Sequence, residues 1–257
     1  MSDAKGSLVL VPNALDLGTG TEVDLRLVLP QAVIERAARL GCWVVENAKS
    51  ARALLKRIDR LVPLAQPLQS LRIDELPRPR KGGTQPAKPD LAPLLAPALA
   101  GEDIGLLSEA GLPGVADPGA ALVQVAHELG LPVEPMSGPC SLVLALAASG
   151  LNGQSFAFNG YLPQDPAARA LRIRELDAVS RRIGQTQIAI ETPYRNEVLF
   201  RALIEHLQPG TRLSVACALT LPQQRCRTLA VSAWRAQPAG TSALGERLPA
   251  VFLWLAA

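Results

Sequence analysis

The chain has 257 residues, 48% of them apolar, and a formal net charge of +3, which is enough for one large or two medium domains. No apolar run reaches the roughly 20 residues of a membrane-spanning helix, and the segment MSDAKGSLVLVPN lacks the pattern of a secretory leader, so we expect a cytoplasmic protein with no membrane partner. No C-x-x-C pair occurs among the four cysteines, which argues against a disulfide framework and against any metal site: Cys42, Cys140, Cys217 and Cys226.

The first half of the chain alternates short apolar runs with amphipathic stretches. The runs have the length and β-branched content of buried parallel strands and fall at residues 7–11, 43–46, within 61–74, at 104–107 and at 131–135. The stretches between them have helical periodicity and fall at 31–40, 50–61, 91–100, 117–129 and 140–151. The segment 77–90 is rich in proline and glycine and carries too little apolar surface to offset its ordering entropy, which predicts a mobile loop.

The second half continues the same alternation. Strands are predicted at residues 156–159, 187–191, 213–219, 226–231 and 250–255, and helices at 166–183 and 194–207. Strands and helices that alternate along a chain indicate an α/β fold. Three tryptophans are predicted to be core or interface residues: Trp43, Trp234 and Trp254.

Two of the predicted strands lead directly into turns that are rich in glycine and proline, SEAGLPGVA at 108–116 and MSGP at 136–139. Asp117 suits a helix N-cap and Pro118 the first helical position, and Pro139 suits the same position in the next helix. Loops that run from the ends of parallel strands to helix N-termini are where α/β proteins bind ligands. The alternative is that these turns only connect strands to helices.

The motifs SEAGLPGVADPG at 108–119 and SGPCS at 137–141 resemble those of the tetrapyrrole (corrin/porphyrin) methylase superfamily, the class III S-adenosylmethionine-dependent methyltransferases. The nearest branch in appearance is the bacterial small-subunit ribosomal RNA 2′-O-ribose methyltransferases. GYLP at 160–163 and ETPYR at 191–195 are similar to the family's G-F-L-P and E-S-P-H-R, so the resemblance covers nearly the whole chain.

The resemblance implies two α/β domains, at 1–137 and 138–257, with the cofactor cleft between them and usually a homodimer. It implies S-adenosyl-L-methionine as cofactor and S-adenosyl-L-homocysteine as product. It also implies a set of cofactor-binding positions: Pro12, Leu112, Val115, Ala116, Cys140, Ser141, Thr192, Ala218, Leu219, Pro249 and Ala250.

An enzyme that methylates a ribose needs a group to accept or share the proton of the 2′-hydroxyl, because the neutral hydroxyl is a poor nucleophile. Three glutamates directly follow or end predicted strands and are therefore candidate catalytic residues: Glu46, Glu109 and Glu191. The alternative for each is a solvated strand-end carboxylate or a helix cap.

The chain departs from the ribosomal RNA branch in motifs on the substrate side. VPNALDL at 11–17 stands where that branch has P-x-P-I-G-N-L, and ENAK at 46–49 stands where it has E-D-T-R. Lysine is a point charge and does not reproduce the bidentate grip of arginine on a phosphate. Three functions therefore stay open: an RNA methyltransferase, a methyltransferase for a small molecule such as a tetrapyrrole, and a cofactor-binding protein without catalysis.

Overall fold

The structure is a computed structural model and describes residues 4–16, 18–77, 89–237, 244 and 247–257. Most of the loop predicted at 77–90 therefore lies outside the described residues. The chain forms two compact units: the first runs to Pro139, apart from Gly18–Thr21, and the second is Cys140–Ala257 together with Gly18–Thr21.

The first unit contains a five-stranded sheet in which all neighbouring strands are parallel. Its strands are β1 (Leu8–Leu10), β2 (Cys42–Val45), β3 (Arg72–Glu75), β4 (Ile104–Leu107) and β5 (Val133–Pro135), in the order β3-β2-β4-β1-β5. Its helices are α1 (Gln31–Ala38), α2 (Ala48–Asp59), α3 (Ala96–Leu99) and α4 (Ala120–Glu128), with short 3-10 turns at Leu25–Leu27, Leu68–Ser70 and Ala92–Leu95.

Successive strand residues of the first sheet pack on opposite faces, as the period of two in a strand requires. Val9 and Trp43 pack on one face with residues of α1 and α2. Leu8, Val44 and Leu106 pack on the other face with residues of α3 and α4. The loop after β4 therefore turns towards the opposite face from the loops after β1 and β2, an arrangement that opens a crevice at the carboxyl ends of the strands.

The second unit contains a mixed five-stranded sheet. Its strands are β6 (Phe156–Tyr161), β7 (Thr186–Ile190), β8 (Arg212–Cys217), β9 (Arg225–Ala230) and β10 (Ala250–Leu255), in the order β6-β7-β10-β8-β9. Only β6 and β7 are parallel neighbours, and the other pairs are antiparallel. Its helices are α5 (Ser141–Ser149), α6 (Pro166–Ile183), α7 (Asn196–His206) and α8 (Val231–Arg235), with a 3-10 turn at Pro193–Arg195.

The α/β fold predicted from the sequence is confirmed, and all ten predicted strands are present. The predicted bounds of α6 are also confirmed, because Asp165 caps it by accepting from the Ala168 N–H at 2.8 Å and Gly184 ends it with φ +65°. The three tryptophans are buried. Among the described residues no helix is long and apolar enough to cross a membrane.

The predicted starts of the helices α4 and α5 are wrong. α4 begins at Ala120 after the cap Gly119, so Asp117 is not its N-cap and Pro118 is not its first residue. Ala116 has a left-handed backbone with φ 66°, which extends the turn beyond the point where the Asp-Pro pair would start a helix. Likewise α5 is capped by Cys140, which leaves Pro139 one residue before the cap.

Candidate functional site

Four loops meet at the carboxyl edge of the first sheet, each of them following a different strand. Residues 12 and 13 follow β1, Glu46 follows β2, residues 108–117 follow β4, and Gly138 lies in the loop after β5. Parallel strands have their carboxyl ends at one edge, so the topology alone brings these loops together.

Asn13 connects the loop after β1 to the loop after β4. Its Nδ2 donates to the carbonyl of Ser108 at 3.1 Å and to that of Glu109 at 3.0 Å. The backbone N–H groups of Asn13 and Gly111 also donate to each other's carbonyls, at 2.9 and 3.2 Å. The side chain is buried, with 6% of the residue exposed, so these bonds face little competition from water.

Glu46 connects the loop after β2 to the same turn. Its Oε2 accepts a hydrogen bond from the backbone N–H of Glu109 at 2.8 Å. The Glu109 carboxylate accepts from the Ser50 hydroxyl at 3.4 Å. Two of the three candidate catalytic carboxylates, Glu46 and Glu109, are thus in one cluster, and the Glu46 carboxylate fixes the backbone of the second residue after β4.

The loop after β5 packs against the loops after β1 and β4. A Cβ added to Gly138 would overlap the ring of Pro12, and one added to Gly111 would lie 3.3 Å from the Pro139 carbonyl oxygen. Gly111 also has φ +70°, a conformation that glycine adopts at little cost. These close approaches give a physical reason for the glycines of both turns.

The turn after β4 exposes backbone and small apolar groups to solvent. Val115 and Ala116 are exposed, and Leu112 and Gly114 are half-buried. Gly114 and Ala116 both have left-handed backbones, with φ 81° and 66°. The three positions implied to bind cofactor in this turn, at 112, 115 and 116, are therefore accessible within the first unit.

Asp117 is a third carboxylate in this cluster. Burial raises its pKa to about 6, and the nearby carboxylates of Glu46 and Glu109 act in the same direction, while a hydrogen bond from Ser108 lowers the pKa. Burial also raises the pKa of Glu46, against the hydrogen bond from the Glu109 N–H. A carboxyl group with a pKa of about 6 exchanges a proton near neutral pH, which is the property of a general base.

In the second unit, three segments implied to bind cofactor lie at one edge of the sheet. Strand β10 runs antiparallel between β7 and β8, so its amino end pairs beside their carboxyl ends, with Val251 opposite Ile190 and Ala250 opposite Cys217. Thr192 lies two residues after Ile190, Ala218–Leu219 directly follow Cys217, and Pro249 directly precedes Ala250. The Ala218 N–H donates to the Pro249 carbonyl at 2.9 Å and joins two of the segments.

The remaining implied positions of the second unit, Cys140 and Ser141, form the start of α5. Cys140 is the N-cap residue, in extended conformation and without a side-chain cap. It is half-buried and packs against the apolar cluster that α5 forms with the second sheet. Cys140 and Ser141 thus lie at a helix N-terminus, as the sequence predicts.

Glu191, the third candidate catalytic carboxylate, is fully engaged within the second unit. Its Oε1 accepts from the Thr192 N–H at 2.8 Å and from the Thr192 hydroxyl at 3.2 Å. Its Oε2 pairs with Arg195 Nε at 3.3 Å, and only 8% of the Glu191 side chain is exposed. These contacts suit a group that holds the start of the helical segment after β7, the cap role that was the alternative for this residue.

Sequence reasoning missed two residues of the first cluster, Asn13 and Asp117. The signal for Asn13 was its position directly after the first strand, beside Pro12. The signal for Asp117 was its place in the motif SEAGLPGVADPG, which the cap assignment obscured. Within the described part of the chain, no group of three or more His, Cys, Asp or Glu side chains is arranged to hold a metal ion.

Comparison with known proteins first defines the class of fold. The crystal structure of the methyltransferase CobJ aligns over 98% of this chain and 95% of its own length, with a TM-score of 0.55 and 18% sequence identity. At this identity the likeness shows a shared fold. The model of the family of Tetrapyrrole (Corrin/Porphyrin) Methylases matches residues 32–232. The chain belongs to this family, which confirms the resemblance seen in the two motifs.

Curated relatives match shorter segments. The Vibrio cholerae protein named Ribosomal RNA small subunit methyltransferase I is 43% identical over 97 residues, which cover 38% of this chain and 32% of that protein. The protein of the same name from Mesorhizobium japonicum is 36% identical over 135 residues, or 52% of this chain and 45% of that protein. The matched segments therefore cover less than half of each relative's length.

Proposed function

We propose that this chain is a methyltransferase that uses S-adenosyl-L-methionine and releases S-adenosyl-L-homocysteine. Family membership supports the reaction class. The observation that carries the proposal is the set of four loops that pack together at the carboxyl edge of the first sheet, because the family's glycine-rich motif forms one of them.

The residues of both units fit such a cofactor by their chemistry. In the first unit, carboxylates can accept hydrogen bonds from the ribose hydroxyls of the cofactor. They also attract its positively charged group. In the second unit, the half-buried Thr192 and Leu219 and the exposed Pro249 offer apolar and backbone groups of the kind that hold a flat base. The full set of proposed binding residues is Pro12, Leu112, Val115, Ala116, Cys140, Ser141, Thr192, Ala218, Leu219, Pro249 and Ala250.

We infer that the acceptor lies in small-subunit ribosomal RNA, as the names of the curated relatives suggest, and that it is a ribose 2′-hydroxyl, as the resemblance to that branch implies. When bound, the cofactor supplies a methyl group, and the electron pair of the broken C–S bond stays on sulfur. The acceptor oxygen must lose its proton as the new O–CH₃ bond forms, and a carboxylate of the first cluster takes that proton. Asp117 suits this role, because a carboxyl group with a pKa of about 6 exchanges its proton near neutral pH.

A methyltransferase for a small molecule such as a tetrapyrrole is the second candidate. The altered motif ENAK at 46–49 favours it, because the exposed Lys49 stands where the ribosomal RNA branch has an arginine. Lysine does not reproduce the bidentate contact of arginine with a phosphate.

A cytoplasmic location and a homodimer complete the proposal. The homodimer rests on the resemblance to the family. Light scattering after size-exclusion chromatography should give twice the mass of the 27.2 kDa chain. A monomer at all concentrations tested would contradict the homodimer without touching the reaction class.

The first test is thermal unfolding with S-adenosyl-L-methionine or S-adenosyl-L-homocysteine. A ligand that binds only the folded protein adds about 2.7 kcal/mol of stability at about 100 times its Kd, and adenosine alone serves as the control. No shift with either ligand would contradict the proposal.

The second test uses cofactor with a labelled methyl group and small ribosomal subunits from a strain without the gene. We expect label in 2′-O-methyl nucleosides, and much less with Asp117→Asn. Label in a small-molecule fraction alone would establish the second candidate. Saturable binding without transfer to any fraction would indicate a binding protein and overturn both.

A further inference from the structure

The entry of the turn after β4 is held from both sides by side chains of neighbouring loops. The side-chain amide of Asn13 donates to the carbonyls of two successive residues, Ser108 and Glu109. Glu46 binds the N–H of the second of these. Both hydrogen-bonding groups of the Glu109 backbone are therefore fixed at the start of the turn.

Asparagine has the required set of atoms at this position. Its amide nitrogen carries two donors, one for each carbonyl, and its oxygen is an acceptor. That oxygen accepts from the Ala14 N–H at 2.8 Å, which fixes the orientation of the amide plane. An aspartate has the same shape but lacks both donors, so its carboxylate would face two carbonyl oxygens.

The bonds of Asn13 determine where the rest of the turn lies. Glu109 begins the turn, and Gly111, which pairs with the Asn13 backbone, already has a left-handed conformation. A rotation of the 108–109 peptide would displace the residues that follow it in the turn, 112–116 among them. Displacements of about 1 Å in groups that position a reactant cost on the order of 100-fold in rate or affinity.

We propose that Asn13 is a positioning residue for the methyl donor, which orients the backbone of residues 108–116 through its two amide hydrogen bonds. The inference rests on the proposed function, since the turn has to bind S-adenosyl-L-methionine for its position to matter. Asn13 acts through the turn and needs no contact with the cofactor itself.

The test compares Asn13→Ala and Asn13→Asp with wild type in cofactor binding and in methyl transfer. We expect KM for S-adenosyl-L-methionine to rise on the order of 10- to 100-fold, with a smaller fall in kcat, because a binding surface is misplaced. A merely structural role lowers the fraction of folded enzyme, which reduces the apparent kcat and leaves KM unchanged. Asn13→Asp should match or exceed Asn13→Ala, since it keeps the shape and the acceptor but removes both donors.

Asn152→Ala is the matched control. Asn152 also makes three side-chain hydrogen bonds, donating to the Gly184 carbonyl at 2.7 Å and accepting from the Gln154 and Ser155 N–H groups at 2.9 and 3.3 Å. It lies before β6, at the amino end of that strand and outside the proposed site. Its loss should lower stability without changing KM.

Amide hydrogen exchange of the cofactor-free protein gives a second measurement that does not depend on turnover. Exchange at 109–116 should accelerate in both Asn13 variants and stay unchanged in Asn152→Ala. Unchanged KM and unchanged exchange in folded Asn13 variants would overturn the positioning role while the proposed function stands. A wild-type protein that does not bind the cofactor at all would instead contradict the proposed function.

Discussion

The two sheets bring their candidate residues together by different means. In the first sheet all strands are parallel, so four loops begin at the same edge, where the strands end. Hydrogen bonds that Asn13 donates and Glu46 accepts join three of these loops. In the second sheet an antiparallel strand, β10, inserts its amino end between two carboxyl ends. The first edge is therefore an assembly of loops tied by side chains, whereas the second is joined mainly through the backbone.

This difference extends to the carboxylates at the two edges. The cluster of Glu46, Glu109 and Asp117 has raised pKa values at Glu46 and Asp117, since like charges and burial oppose ionisation. Glu191 in the second unit instead forms an ion pair, in which its Oε2 lies 3.3 Å from Arg195 Nε. We infer that the carboxylates of the first edge are arranged for proton exchange and that Glu191 at the second serves structural support.

The largest expected effect is from Glu191→Ala, which should lower the free energy of unfolding by about 3 kcal/mol, because it leaves Arg195 and two donors of Thr192 unpaired in a largely buried place. Glu109→Ala is the matched variant in the first unit. Its carboxylate accepts one long bond, from Ser50 at 3.4 Å, so the loss there should stay below about 1 kcal/mol. Urea unfolding measures both, and equal losses would refute the contrast between the edges.

Gly138→Ala should cost about 2 kcal/mol, because its new methyl group overlaps the Pro12 ring and the two loops must move apart. Binding of S-adenosyl-L-methionine should weaken as well, since Pro12 is one of the proposed contacts. Gly153→Ala provides the control in the second unit, where an added Cβ meets no atom within 4 Å. If Gly138→Ala, like the control, unfolds at the same urea concentration as wild type, the loops after β1 and β5 are not closely packed.

Local sequence rules correctly predicted those helices and strands whose ends depend on residues close to them along the chain. The strands at 104–107 and 250–255 and the helix at 166–183 have the expected bounds, because apolar runs, the Asp165 cap and Gly184 act within a few positions. The same rules placed the glycine-rich turns at strand ends. The family resemblance then supplied candidate positions that the fold brings to two edges, one in each unit.

Contacts between distant parts of the chain could not be read from those rules. Asn13 and its partner Ser108 are 95 residues apart in sequence, and only the pairing of β1 with β4 makes them neighbours. Asp117 has the local signature of an N-cap, but the left-handed Ala116 and the approach of Glu46 decide its environment. The antiparallel direction of β10 depends likewise on pairing with β7 and β8, which its own sequence does not specify.

Asp117→Asn should stabilise the first unit at pH 7 by about 1 kcal/mol, after allowance for solvent screening of a half-buried group. The pKa of this carboxyl group rises from 3.8 in the unfolded chain to about 6 in the folded one. Between these values the folded state binds more protons, so wild-type stability falls as the pH rises through this window. Urea unfolding at pH 3.5 and pH 7 should therefore show a gain only at pH 7, and a gain of the same size at both would contradict the raised pKa.

The smallest expected effect comes from two alanines with left-handed backbones, one at each edge. Ala116 has φ 66° and is exposed, whereas Ala218 has φ 54° and is buried. A left-handed residue with a Cβ is strained by about 1–2 kcal/mol, while glycine adds about 0.4–1 kcal/mol of unfolded-state entropy. Ala116→Gly should therefore gain about 0.5 kcal/mol.

Ala218→Gly also loses a buried methyl group, worth about 0.8 kcal/mol, so its net change should be near zero or slightly unfavourable. Differential scanning calorimetry of both variants against wild type resolves the sign. A larger gain at 218 than at 116 would mean that the backbone-joined edge of the second unit stores more strain than the loop edge of the first. The contrast between a loop-built and a backbone-built edge would then have to be reversed.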